Sequence, residues 1–268
     1  MSNLLQRVIV ALIFVPLIVL SVKAGGWWFF ISVSAFALLS LYELSEMFEV
    51  KQSFPLKAIL FPSATLLLYN FFQPFADQSA LLAVILMIFS AIELFRSKGS
   101  ALHNLGATAL SLIYIILAFG LLIPLRAFDE KGDFVLLILF SVWAADTFGY
   151  FGGRFFGGKM IKQKLFEKHS PKKTWEGFYA GFAASIGVAI WFSKYLPNIP
   201  LYHLIIVGII IGFFGPLGDL IESMFKRDSG MKDSSTLIPG HGGFFDRFDV
   251  LCFVSPLVFF YATHTFFK

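Results

Sequence analysis

Residues 203–223 read H-L-I-I-V-G-I-I-I-G-F-F-G-P-L-G-D-L-I-E-S. A helix needs about 20 apolar residues to cross the roughly 30 Å hydrocarbon core of a bilayer, and this run has that length. It ends on two carboxylates, Asp219 and Glu222. Comparable runs recur along the chain at 5–22, 27–46, 56–73, 79–95, 104–125, 134–152, 177–195 and 250–267, with short polar breaks between them. The predicted fold class is therefore all-α: a polytopic integral membrane helical bundle of about nine transmembrane helices. Composition agrees, since 57% of the 268 residues are apolar, 14% are charged and mean hydropathy is +0.79, outside the range of soluble domains.

The first run follows Arg7 as a signal peptide would, but it has no small-residue cleavage site and further spans follow, so it reads as a retained helix. The single cysteine, Cys252, lies in the last run and excludes an intrachain disulfide or a multi-cysteine metal centre. A pI near 9.1 does not point to nucleic acid here, because in a membrane protein the distribution of cations matters more than their sum. With the N-terminus in the cytoplasm, only Lys23, Arg126, Lys131, Lys194 and Lys268 fall outside; all the other Lys and Arg face inward. The basic loops 153–176 and 224–249 are then cytoplasmic. No repeat or linker divides the chain, so one membrane domain is expected over 1–268. Residues 1–130 would be mainly structural and 134–268 would carry the chemistry.

Glu43, Glu46 and Glu93 sit near span ends, where a solvated or snorkelling role is the expectation. In the C-terminal half, Asp146 and Asp219 lie within or beside apolar runs, where an unpaired carboxylate costs several kcal/mol. Asp219 with Glu222, and Asp246 with Asp249, are spaced i,i+3, so each pair shares a helix face. Such convergence suits a hard divalent ion, which takes oxygen ligands from one or two carboxylates plus substrate phosphates. The plainer reading is that Asp219 and Glu222 salt-bridge Lys226 and Arg227, with Asp246 pairing Arg247 or a nearby lysine. Against it stands the run Ser223 to Asp249, which gathers Lys226, Arg227, Lys232, Arg247 and His241 beside the glycine cluster Gly240, Gly242 and Gly243. Pro239-Gly240-His241-Gly242-Gly243 breaks a helix and can expose amides as a phosphate nest. The loop after the sixth span repeats this chemistry with Gly153-Arg154 and Ser170-Pro171-Lys172-Lys173-Thr174-Trp175-Glu176. Lys162, Lys164 and Lys168 read instead as a polybasic contact for anionic headgroups. Trp27 and Trp28 read as interfacial anchors.

The segment from Ser223 to Asp249 resembles the signature of the phosphatidate cytidylyltransferases, the CDP-diacylglycerol synthases: Ser, two residues, Lys-Arg, four residues, Lys-Asp, then Pro-x-His-Gly-Gly, two residues, Asp-Arg-x-Asp. Asp146-Thr147, Gly153-Arg154 and the block from Ser170 to Gly177 are similar to the family's upstream pattern. Ser235 and Val250 depart from it, where glycine and serine are commoner. The resemblance implies a magnesium-dependent reaction, with room for a second metal ion, of CTP with phosphatidic acid at the cytoplasmic edge of the inner (plasma) membrane. It also implies a homodimer, and nothing in it implies nucleic acid. Under that reading Asp219 and Asp246 are metal ligands, with Asp146, Glu222 and Asp249 as supporting or second-ion groups. Lys226, Arg227, Lys232, Arg247 and His241 would serve the phosphates. Lys172, Lys173, Ser170, Trp175, Arg154, Ser223, Gly242 and Gly243 would contact substrate. A CTP-dependent polyprenol or phytol kinase is the chemical alternative, and an ion-coupled transporter the alternative of another class.

Overall fold

The computed structural model describes residues 3–159, 161–167, 170–238 and 242–267, with the side chains of 3–9, 171 and 172 outside the description. Among these residues the protein is almost wholly helical: α1 (Asn3–Ala24), α2 (Gly26–Val50), α3 (Lys57–Phe72), α4 (Gln78–Glu93), α5 (Ala101–Ser111), a π-helical stretch Leu112–Leu117, α6 (Ala118–Gly120), α7 (Leu122–Ala127), α8 (Asp133–Phe156), α9 (Trp175–Phe192), α10 (Leu201–Asp228) and α11 (Phe245–Thr265). Each apolar run expected from the sequence falls on a helix. Gly26–Val50, the composite Ala101–Ala127, Asp133–Phe156, Leu201–Asp228 and Phe245–Thr265 are each long and apolar enough to cross a membrane. Val10–Ala24, Lys57–Phe72 and Gln78–Glu93 are shorter apolar helices.

Two features differ from the expectation. The loop after α8 forms a small antiparallel hairpin, β1 (Lys164–Phe166) with β2 (Ser170–Thr174). Helices α10 and α11 also run past their apolar cores into the polar signature, so Lys226 and Arg227 end α10 while Asp246 and Arg247 begin α11.

The chain divides into two compact units, Met1–Pro124 with Phe225–Phe248, and Leu125–Met224 with Asp249–Lys268. In the first, α2 is central and buries Val33, Ala37, Leu41 and Leu44. Phe30 stacks on Phe72 at 4.7 Å with the edge of Trp27 also on Phe72, while Trp28 is exposed as an interfacial residue would be. Phe36 stacks on Phe248 at 4.9 Å. Asp77 caps α4 and accepts from Ser79 Oγ and the Ala80 amide, which hold its carboxyl below the usual range.

Glu93 is not solvated, as its place at a span end suggested, but buried. Its oxygens accept from Asn104 Nδ2 at 2.5 Å and from Arg96 at 2.7 Å. Asn104 also accepts from the Phe54 amide at 2.6 Å and donates to the Lys98 carbonyl at 2.8 Å. Glu46 and Glu49 instead pair with the part-exposed Lys57.

In the second unit, α8 and α9 cross with little between them: a methyl on Gly177 would stand 2.7 Å from the Gly149 carbonyl, and one on Gly181 2.6 Å from that of Ala145. Small residues permit such approach where lipid supplies no hydrophobic drive. Ser185 ties α9 to α10 through the Gly208 carbonyl at 2.7 Å. Phe128, Phe134, Phe266 and Phe267 form a cluster, beside a His203–Tyr261 contact of 2.7 Å.

Replacing Asn104 with Ala strips a buried carboxylate and a loop amide of partners, at about 1–3 kcal/mol for each group left unmet. The expected result is a Tm in detergent several degrees lower with turnover per folded molecule retained; an unchanged Tm contradicts this account of the polar knot.

Candidate active site

In the second unit the acidic residues converge because α10 and α11 touch at one place. Gly218 faces α11 so closely that a Cβ would stand 2.6 Å from the Asp249 carbonyl and 2.9 Å from the Val250 Cα. That approach sets Asp249 against the face of α10 bearing Asp219 and Glu222. One oxygen from each of Asp219, Glu222 and Asp249 lies within 4.8 Å of the others. Glu222 is buried and the other two are half-buried. Asp146 of α8 is near enough for its charge to act on Asp249.

Like charges at this range repel by about 4 kcal/mol per ionised pair at an effective dielectric of 20. Lys173, from β2, offsets part of this: it reaches Asp219 Oδ2 at 2.7 Å and donates also to the Pro216 carbonyl at 3.2 Å. Pro216 has no amide proton, so the helix is already loosened in the turn before Asp219. Ser223 Oγ donates to Asp219 Oδ1 at 3.2 Å. Magnesium holds oxygens at about 2.0–2.1 Å and keeps several waters. Three carboxylates of this spacing, with Lys173 laid against one of them, fit such an ion after small side-chain shifts.

The polar segment carrying Lys173 is itself ordered. Thr174 Oγ1 accepts from the Gly177 amide at 3.2 Å as the cap of α9. Glu176 Oε1 accepts from the amides of Gly158 and Ile161 at 3.1 and 3.0 Å, which pins the turn leaving α8. A threonine and a glutamate two residues apart thus connect the end of α8 to the start of α9 and deliver the β2 lysine between them.

In the first unit a second acidic knot forms. Asp246 does not join a carboxylate cluster among the described residues. Its Oδ1 pairs with Lys226 at 2.6 Å, and its Oδ2 accepts from the Gly243 amide at 2.7 Å, the Ser234 amide at 2.9 Å and Ser234 Oγ at 2.8 Å. Both side chains are mostly buried. Asp219 is grouped with Glu222 and Asp249 within its own unit. The i,i+3 rule put Asp246 and Asp249 on one helix face but carried no information on what each would meet.

Glu43 is the residue that the sequence misplaced. It is wholly buried, and it accepts from Ser234 Oγ, Ser235 Oγ and the amides of Phe244 and Phe245. The available signal was an acid within the last turn of an apolar run, which reads as functional unless a path to water is at hand.

The remaining expected residues are more dispersed. Arg154 is exposed and donates to Tyr150 Oη at 2.8 Å. Trp175 lies among Phe178 and Tyr179, its ring centroid about 6 Å from each. Arg227, Lys232 and Arg247 are exposed, Gly242 takes a left-handed φ of 82°, and Ser170 opens β2. His241 and the side chain of Lys172 lie outside the described residues.

Residues 5–265 match the model of a family described as the cytidylyltransferase family. A phosphatidate cytidylyltransferase of Bacillus subtilis (strain 168) is 33% identical over 97% of this chain and 96% of its own length. Another, from Staphylococcus haemolyticus, is 33% identical over 95% of each chain. A third, from Staphylococcus saprophyticus, is 42% identical over 56% of this chain and 55% of its own.

The Gly218→Val substitution forces α11 away from α10 and disperses the triad. Divalent-cation-dependent activity is expected to fall below detection while the protein still elutes as a folded species; wild-type activity contradicts the close approach.

Proposed function

The chain belongs to the cytidylyltransferase family, and from that membership we propose that it joins CTP to phosphatidic acid, giving CDP-diacylglycerol and pyrophosphate for phospholipid biosynthesis. It is a membrane-embedded nucleotidyltransferase. The observation that carries the residue assignment is the acidic triad of Asp219, Glu222 and Asp249 with Lys173 laid against it.

The phosphate monoester of phosphatidic acid attacks the α-phosphorus of CTP in line. A new P–O bond forms to the lipid phosphate, the bond from the α-phosphorus to its bridging oxygen breaks, and that oxygen leaves with pyrophosphate. The attacking monoester is already a dianion near neutral pH, so no side chain need remove a proton. The difficulty is that two polyanions must meet and negative charge must be accommodated on the departing group.

Asp219, Glu222 and Asp249 are the residues that would hold magnesium, with Asp146 supporting them or serving a second ion. A bound ion supplies Lewis-acid stabilisation at phosphate oxygens. Lys173 orients Asp219 and can exchange that contact for a substrate phosphate, and Lys172 precedes it in the same strand. On α10, Lys226 and Arg227 follow the acidic face by one to two turns. With Lys232 and Arg247 they offer donors to the triphosphate, while Asp246 fixes Lys226 and Gly243. Trp175 can stack on an apolar or base face, and Ser223, Ser170 and Arg154 offer polar contacts at the same polar segments.

The cation distribution supports a site facing the cytoplasm, with the N-terminus on that side. The bacterial relatives make the plasma membrane the natural location, and the homodimer belongs to the same proposal.

The test is purified protein in detergent with phosphatidic acid, magnesium and CTP labelled at the α-phosphorus. Label entering the lipid with release of pyrophosphate is expected. CDP release with unlabelled lipid would assign a kinase, and absence of nucleotide chemistry would return the transporter reading. In the same assay Asp219→Asn, folded as wild type, should lose turnover by three orders of magnitude or more, on the order of removing a main electrostatic contact. Near-normal turnover refutes its assignment.

A further inference from the structure

The N-terminal helices supply a buried carboxylate to the signature segment. Glu43 of α2 is 0% exposed. Its Oε1 accepts from Ser235 Oγ at 2.5 Å and the Phe244 amide at 2.9 Å, and its Oε2 from Ser234 Oγ at 2.9 Å and the Phe245 amide at 2.7 Å. These two amides stand at the opening of α11, where a helix has donors and no backbone acceptors of its own. A carboxylate there also meets the positive end of the helix dipole. Glu43 thus caps, from about 200 residues away in sequence, the helix whose first turn carries Asp246 and Arg247.

Two further observations converge on the same segment. Gly243 leaves room for this contact: a Cβ there would lie 2.5 Å from both Glu43 oxygens and would collide with Ser234 Oγ. Tyr114, in the π-helical stretch Leu112–Leu117, sets its ring edge-on to Phe225 at 5.8 Å and to Phe245 at 6.2 Å. Phe225 precedes Lys226 and Phe245 precedes Asp246, the ion pair at the base of the segment. A π-helical turn carries an extra residue and re-aims the side chains on it.

We propose that Glu43 is a positioning residue: it fixes Ser234, Ser235 and the start of α11 at Phe244 and Phe245, so that Lys226 and Arg247, which the functional reading gives to phosphate, present their donors in one geometry. The inference rests on the functional reading above. Glu43 itself touches no substrate. Its loss takes the acceptor from the Ser235 hydroxyl and the Phe244 and Phe245 amides, while Ser234 Oγ retains Asp246 Oδ2, and the segment must rearrange to find water.

The experiment uses full-length protein in detergent, comparing wild type, Glu43→Gln, Glu43→Ala and Gly243→Ala. It measures kcat and KM for CTP, together with amide hydrogen exchange over 234–247. Glu43→Ala is expected to lower kcat/KM for CTP about 100-fold, the scale of a displaced binding group. Exchange over 234–247 should quicken, with peptides of α8 and α9 unchanged. Glu43→Gln, which keeps one acceptor oxygen, should fall between. If Glu43→Ala does not fold, Gly243→Ala tests the same contact from the other side and should show the same pair of effects. Wild-type kcat/KM in Glu43→Ala overturns the proposal, as does a loss that only tracks the folded fraction while exchange over 234–247 stays slow. Wild-type protein without CDP-diacylglycerol synthesis would overturn the functional reading instead, and exchange over 234–247 would still decide whether Glu43 orders the segment.

Discussion

Repulsion among Asp219, Glu222 and Asp249 is the constraint around which the second unit is arranged. Three oxygens within 4.8 Å of one another store more unfavourable energy, at about 4 kcal/mol per ionised pair, than a few well-packed apolar side chains return. Positive charge nearby offsets part of that repulsion. Lys173 supplies part of it from a strand whose position depends on the Thr174 cap and the Glu176 contacts. Gly218 removes the side chain that would keep α10 and α11 apart. Under the proposed function, a divalent cation flanked by substrate phosphates would complete the balance, so that the charges that destabilise the resting site would favour binding of its reactants.

The first unit handles buried carboxylates differently. Glu43 and Asp246 are surrounded by donors instead of by other acids, and each is met by backbone amides from the glycine-containing segment. In an apolar bundle this is the other way to keep a carboxylate stable: hydrogen bonds and one buried lysine in place of a metal. The outcome is that Ser234, Gly243, Phe244 and Phe245 are each held by a buried carboxylate.

The spans were legible because a bilayer imposes length and apolarity on every crossing helix, and 203–223 shows both. What lay beyond an apolar core was not. Helix α10 continues to Asp228 and α11 starts at Phe245, since a charged turn is helical once its neighbours are, whatever its hydropathy. The hairpin at Lys164–Phe166 and Ser170–Thr174 is short and lysine-rich, without the alternation that marks a strand. Asp219 could be picked out by the cost of charge near lipid, Glu222 by its i,i+3 spacing from it, and Lys173 by the basic motif from Ser170 to Glu176. Separating Asp246 from Asp249 could not be done, because spacing along one helix does not say which neighbour it will meet. Glu43 was read as solvated because position along a span resembles depth, while burial depends on packing against residues 200 positions away.

Binding of manganese as a paramagnetic stand-in for magnesium tests the central claim most directly, followed by electron paramagnetic resonance on detergent-solubilised protein with CTP present and no lipid substrate. The account predicts a saturable site in the wild type that is lost in Asp219→Asn and in Asp249→Asn while both variants remain folded. Retention of that site in a variant lacking both carboxylates would contradict it.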